Sequence, residues 1–159
     1  MEWMLMPYRR YADFSGRSRR KEYWMFVLLN VLIAIVLEGL TFALGASAIF
    51  GLGAQPATAL SFGPMFWIAA ILLGIWALVT IIPSLAVAVR RLHDRDMSGW
   101  YLLGFVIVIA IISRFGTFGR LLTLVLEVGY IVILALPGTV GPNKYGPDPL
   151  GQTDPEVFA

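Results

Sequence analysis

The sequence predicts an all-α, polytopic membrane protein of four transmembrane helices, the last two a short hairpin, with both termini in the cytoplasm. Three observations carry this. Apolar runs long enough to cross a bilayer recur along the chain, and 58% of its 159 residues are hydrophobic against 14% charged. A water-facing domain has about a quarter charged residues and under half apolar. The basic residues gather between the runs, and the last apolar stretch is broken by a polar turn that carries two arginines.

Residues 1–22 form a basic arm, with Arg9, Arg10, Arg17, Arg19, Arg20 and Lys21 set against Glu2, Asp13 and Glu22. Trp3, Pro7, Tyr11 and Phe14 fall at roughly helical spacing, the pattern of a segment lying in the membrane interface. A four-helix membrane domain is expected over 23–137. Its first span covers 23–44, enough to cross a hydrocarbon core of about 30 Å. Residues 45–62 are small, Gly/Pro-punctuated and uncharged, and read as an external loop.

The second span, 63–89, opens on Pro64, which suits a first turn. Pro83 lies inside it and predicts a kink, since proline removes one backbone hydrogen bond. Residues 90–99 form a charged connection. The third and fourth spans, 100–113 and 119–136, are joined by the turn with Arg114 and Arg120. One continuous span there would bury both arginines near the bilayer centre at a cost of several kcal/mol each. Residues 138–159 are a Pro/Gly-rich cytoplasmic tail without helical period.

Orientation follows from counting Lys and Arg. The arm holds six, the 90–99 connection three and the tail one, Lys144; the 113–120 turn holds the other two. Ten of the twelve therefore fall on one side, expected to be the cytoplasm. Tyr23, Trp24, Trp100 and Tyr101 fall at the same interface, as an aromatic belt requires. Ala46-Ser47-Ala48 after a basic arm and an apolar run resembles a signal-peptide cleavage site. The run is longer than such a peptide's apolar region and further spans follow, so the first helix is expected to stay.

The composition narrows the chemistry. There is no cysteine, and His93 is the one histidine, so no thiolate or histidine-rich metal set is expected, nor any cofactor. No catalytic constellation is evident, which points away from an enzyme. Glu38 and Glu127 are the acids within spans, read here as lying at similar depth in the outer half of the bilayer. With Arg114 and Arg120 above them they form either an intramembrane polar site that handles a proton or cation, or ion pairs that fix helix packing. Trp76, Thr80 and Ser84 share a helix face, and Ala70 with Gly74 allows close helix approach. The basic arm with its aromatics abuts a span, so anionic phospholipid head groups fit it better than nucleic acid.

Phe14-Ser15-Gly16-Arg17-Ser18-Arg19-Arg20-Lys21-Glu22-Tyr23-Trp24 is followed by Arg90-Arg91-Leu92-His93-Asp94 with Ser98-Gly99-Trp100-Tyr101. Then come Pro137-Gly138-Thr139 and Gly141-Pro142-Asn143-Lys144-Tyr145-Gly146-Pro147-Asp148-Pro149. In that order they resemble the bacterial inner-membrane family catalogued as domain of unknown function 805. The resemblance implies a short multi-helix protein of the inner membrane and names no reaction. All three stretches fall on the predicted cytoplasmic side, where Arg17, Arg19, Arg20, Arg90, Arg91, His93, Asp94, Asn143, Tyr145 and Asp148 are expected to meet. The first expectation for function is a scaffold or accessory subunit whose cytoplasmic cap binds anionic lipid or a membrane-protein partner. The alternative is a small transporter or channel using Glu38 and Glu127, working as a homo-oligomer.

Overall fold

In a hydrocarbon solvent each backbone N–H and C=O must be satisfied within its own segment, so the apolar runs become helices. The computed structural model describes residues 2–49 and 62–151. Among these there are five helices: α1 (Glu2–Arg9), α2 (Arg20–Ile49), α3 (Pro64–Asp94), α4 (Trp100–Ile112) and α5 (Gly116–Ala135). No strand accompanies them among the described residues, only an isolated bridge between Asn143 and Gly146. Helices α2, α3 and α5 are long and apolar enough to cross a membrane. Helix α4 has 13 residues, about 20 Å at 1.5 Å per residue.

Several boundaries differ from the sequence reading. Helix α2 continues to Ile49, so the first part of the expected 45–62 loop is helical. Its Gly and Ala residues carry no chain-breaking proline before the end of the helix. The remainder of that loop, 50–61, and the tail from 152 lie outside the described residues. Helix α3 runs unbroken through Pro83 and on to Asp94, where a charged connection was expected from 90. Charge does not end it because Arg90 and Arg91 find partners inside the protein.

The expected interfacial segment, Trp3 to Phe14, is helical over Glu2–Arg9, and this helix packs on α2 and α3, with Pro7 buried. The Tyr8 ring lies 5.1 Å from Phe26 and 6.0 Å from Trp76, and its hydroxyl donates to Asn30 Oδ1 at 2.8 Å. Just past the helix, the Tyr11 hydroxyl donates to the Val79 carbonyl at 2.8 Å. That carbonyl stands four residues before Pro83, so it is the one whose helical donor the proline removes. The arm supplies from outside what α3 lacks.

Helices α4 and α5 form a second unit, with Phe105 stacked on Tyr130 at 4.4 Å. Residues 113–115 turn the chain between them. Gly119 is where the two backbones meet, since a Cβ there would fall 2.1 Å from the Ile112 carbonyl oxygen. The buried interior sits almost wholly at the opposite end of the molecule, where Phe26, Ala86, Val87, Ala88, Leu92 and Leu134 surround buried charged groups.

Candidate functional site

The start of α2, the end of α3, the end of α5 and the tail converge at one end, and arginines hold them there. Asp13 sets the approach. It accepts from the Ser15 backbone N–H at 3.0 Å and hydroxyl, and from Arg10 at 2.7 Å. The Ser15 hydroxyl, followed by Arg10, holds its carboxyl well below the usual carboxylate range. Gly16 then takes a positive φ of 75°, a left-handed conformation that suits glycine, and turns Arg17 inward.

Arg17 is buried and all three of its nitrogens are engaged. Nε donates to Asp94 Oδ1 at 3.0 Å, Nη1 to the Gly141 carbonyl at 2.6 Å and Nη2 to the Thr139 carbonyl at 2.5 Å. Arg90 is fully buried; it donates to Glu22 Oε1 at 3.1 Å and to the Asp13 carbonyl at 2.9 Å. Arg91, equally buried, donates to the Leu134 carbonyl at 2.9 Å, to the Leu136 carbonyl and to Asp94 Oδ2. Arg95 reaches the Ile133 carbonyl at 3.3 Å. The last carbonyls of a helix have no intrahelical donor, so side chains of α3 cap α5.

The tail is fastened through the same centre. The Asp94 carbonyl accepts from the Thr139 N–H at 2.8 Å and hydroxyl at 3.2 Å. Asn143 donates to the His93 carbonyl at 2.9 Å, and the Tyr145 ring stacks on His93 at 3.8 Å. Asp148 closes the loop, taking the Gly141 N–H at 3.0 Å and the Leu150 N–H at 2.8 Å. Burial alone would raise its pKa, but these two donors, with Arg17 and Arg19, bring it below its ordinary value. Gly138 admits no side chain, since a Cβ there would lie 2.0 Å from Asp94 Oδ2.

Of the residues expected to meet, Arg17, Arg90, Arg91, His93, Asp94, Asn143, Tyr145 and Asp148 are joined by these contacts. Arg19 and Arg20 stand at the rim, with Arg19 lying over the Trp3 ring at 5.4 Å. Glu22, the buried partner of Arg90, was not singled out from the sequence. Its signal was its place in the first turn of a span, beside six basic residues. Ser18 was also missed; it is fully buried, and its N–H donates to the Arg90 carbonyl at 3.1 Å.

Glu38, Glu127, Arg114 and Arg120 are all exposed. Among the described residues no ion pair joins any of them. Nor do the two carboxylates share a level. Glu22 and Leu134 both bond the Arg90–Arg91 pair; measured from there, Glu38 lies about 24 Å along α2 and Glu127 about 10 Å along α5. On the Trp76 face, the Thr80 hydroxyl bonds the Ala77 carbonyl of its own helix at 3.0 Å.

Long apolar helices gathered by a charged cap at one end define a polytopic membrane protein. The family model described as "Protein of unknown function (DUF805)" matches residues 11–147, and the chain belongs to that family. It is 34% identical over 152 residues to inner membrane protein YhaH of Escherichia coli (strain K12), covering 94% of this chain and 97% of that protein. Inner membrane protein YhaI of the same organism is 35% identical over 153 residues, with 94% and 96% covered. Uncharacterized protein YiiR, also from that strain, is 30% identical over 149 residues, with 86% and 85% covered. No solved structure matches. The chain is thus an inner-membrane protein, with three helices of spanning length.

Proposed function

We propose that the protein is an inner-membrane scaffold or accessory subunit. In this reading α4 crosses with α5 to give four spans, both termini are cytoplasmic, and the cap presents its rim to anionic lipid or to a protein partner. One observation carries it: Arg17 and Arg91 share Asp94, and between them they bond backbone carbonyls at the end of α5 and in the tail. Such a centre joins helices and tail into one rigid end, which is what a docking platform needs. The ten basic residues at that end support a cytoplasmic cap by the positive-inside rule. The return of α5 to the level of α3 supports an even number of crossings.

The reading is tested by gentle extraction with native lipids, mass spectrometry of what stays bound, and a flux assay on reconstituted protein. A scaffold retains anionic lipid or a membrane-protein partner and carries no solute. A second reading, a small oligomeric transporter, draws on Glu38 and Glu127, two exposed carboxylates within spanning helices. It predicts solute flux that Glu38→Gln or Glu127→Gln abolishes while assembly persists. Flux of that kind would overturn the scaffold.

A further inference from the structure

The core of the cap spends its charges internally; its rim does not. Between the first turn of α2 and the tail lies a cavity of about 390 Å³, with Arg19, Arg20 and Lys21 on its wall. Asp94 and Asp148 also border it. Asp94 already holds Arg17 and Arg91, and the oxygens of Asp148 are taken by the N–H groups of Gly141 and Leu150. Among the described residues Arg19, Arg20 and Lys21 have no carboxylate partner. Arg19 and Lys21 instead lie over the Trp3 ring, at 5.4 and 5.8 Å. Three cations line the cavity against two acids, both of which already have hydrogen-bond donors, so the lining carries net positive charge.

The opposite wall is of another kind. It is formed by the tail, and its Val140 and Leu150 side chains are 73% and 58% exposed. Three cations in a lining that also has an apolar edge suit a phosphate group that continues into an apolar body. We infer that this cavity binds a phosphate-class anion, either the phosphodiester of an anionic phospholipid or free phosphate. The apolar edge favours the lipid. The inference deepens the scaffold reading and rests on it in placing the rim at the membrane surface.

The test uses the full chain in micelles of a neutral detergent, with two ligands. In one arm phosphatidylglycerol competes with phosphatidylcholine, and retained lipid is counted by native mass spectrometry. In the other, inorganic phosphate is titrated calorimetrically. The wild type is expected to retain phosphatidylglycerol preferentially. The double substitution Arg20→Ala with Lys21→Ala is expected to weaken it about thirtyfold, from the loss of two interfacial cations. Val140→Asp, a new acid at an exposed edge position, weakens it too and guards against a folding defect in the double variant. Binding of inorganic phosphate, lost in the same variants and without lipid preference, would assign the site to free phosphate. Equal phosphatidylglycerol retention by wild type and both variants, with no phosphate heat, overturns the inference and leaves the scaffold standing. Glutamate-dependent flux with intact lipid selectivity does the reverse.

Discussion

The basic end of the molecule and the far end of its helices solve opposite problems. At the basic end, charged groups are taken out of solvent and each is answered: Arg17 and Arg91 share Asp94, and Arg90 holds Glu22. At the far end Arg114, on the turn, and Arg120, in the first turns of α5, stand exposed beside apolar side chains that face outward. A buried ion pair is sensitive to the loss of one partner because the other is left without compensation, whereas an exposed charge is replaced by water at little cost. Position in the sequence does not distinguish these arginines. What they meet across the fold does.

The contrast can be broken most forcefully at Asp94. Asp94→Ala strands two buried guanidinium groups and should destabilise the protein by about 3–5 kcal/mol. Arg114→Ala at the far turn should stay within about 0.5 kcal/mol. Thermal unfolding of both variants in the same micelle decides; equal shifts would erase the distinction. Gly138→Ala comes next, since the added methyl would lie 2.0 Å from Asp94 Oδ2. Overpacking of this kind costs about 1–3 kcal/mol, and limited proteolysis should clip residues 139–150 faster.

Tyr11→Phe is a smaller test, made outside the ion-pair network. It leaves the Val79 carbonyl without the donor that replaces the one lost to Pro83, at about 0.6–1.7 kcal/mol by measured bonds within membrane proteins. A thermal shift as small as that of Arg114→Ala would mean that Pro83 needs no help from the arm. The smallest effect concerns pH. The Asp148 carboxyl has its pKa lowered from 3.8, so it stabilises the docked tail above that value and loses this as pH falls through the folded one. Tail protection from protease should lose the Asp148 contribution below about pH 4. Full protection well below that pH would take Asp148 out of the fastening.

Much of this contrast is legible in the chain. Apolar runs of span length are local properties, and so is the break at Ser113-Arg114-Phe115-Gly116, which separates α4 from α5. The cap residues declare themselves because charges flanking a span must sit at an interface, and the four crossings expected from the sequence would put them at one. What is not legible depends on partners distant in sequence. That α3 continues through Arg90 and Arg91 follows from Glu22, Leu134 and Leu136, which lie far from it along the chain. The tail has no helical period, and although arm, connection and tail are expected to meet on one side, no local pattern encodes that the carbonyls of Thr139 and Gly141 are the ones that accept from Arg17. Glu38 and Glu127 were read from helix ends, whose positions shift by several residues; the contacts at the cap give a better origin and separate them.

The chain has no cysteine, so single cysteines report position without background. Val140→Cys on the exposed tail and Phe118→Cys near the far turn, 73% and 75% exposed as Val and Phe, should react with a membrane-impermeant maleimide from opposite sides. Val140→Cys is predicted to label only in inside-out vesicles and Phe118→Cys only in intact spheroplasts. Labelling of both from the same side would contradict a cap and a far turn separated by the bilayer.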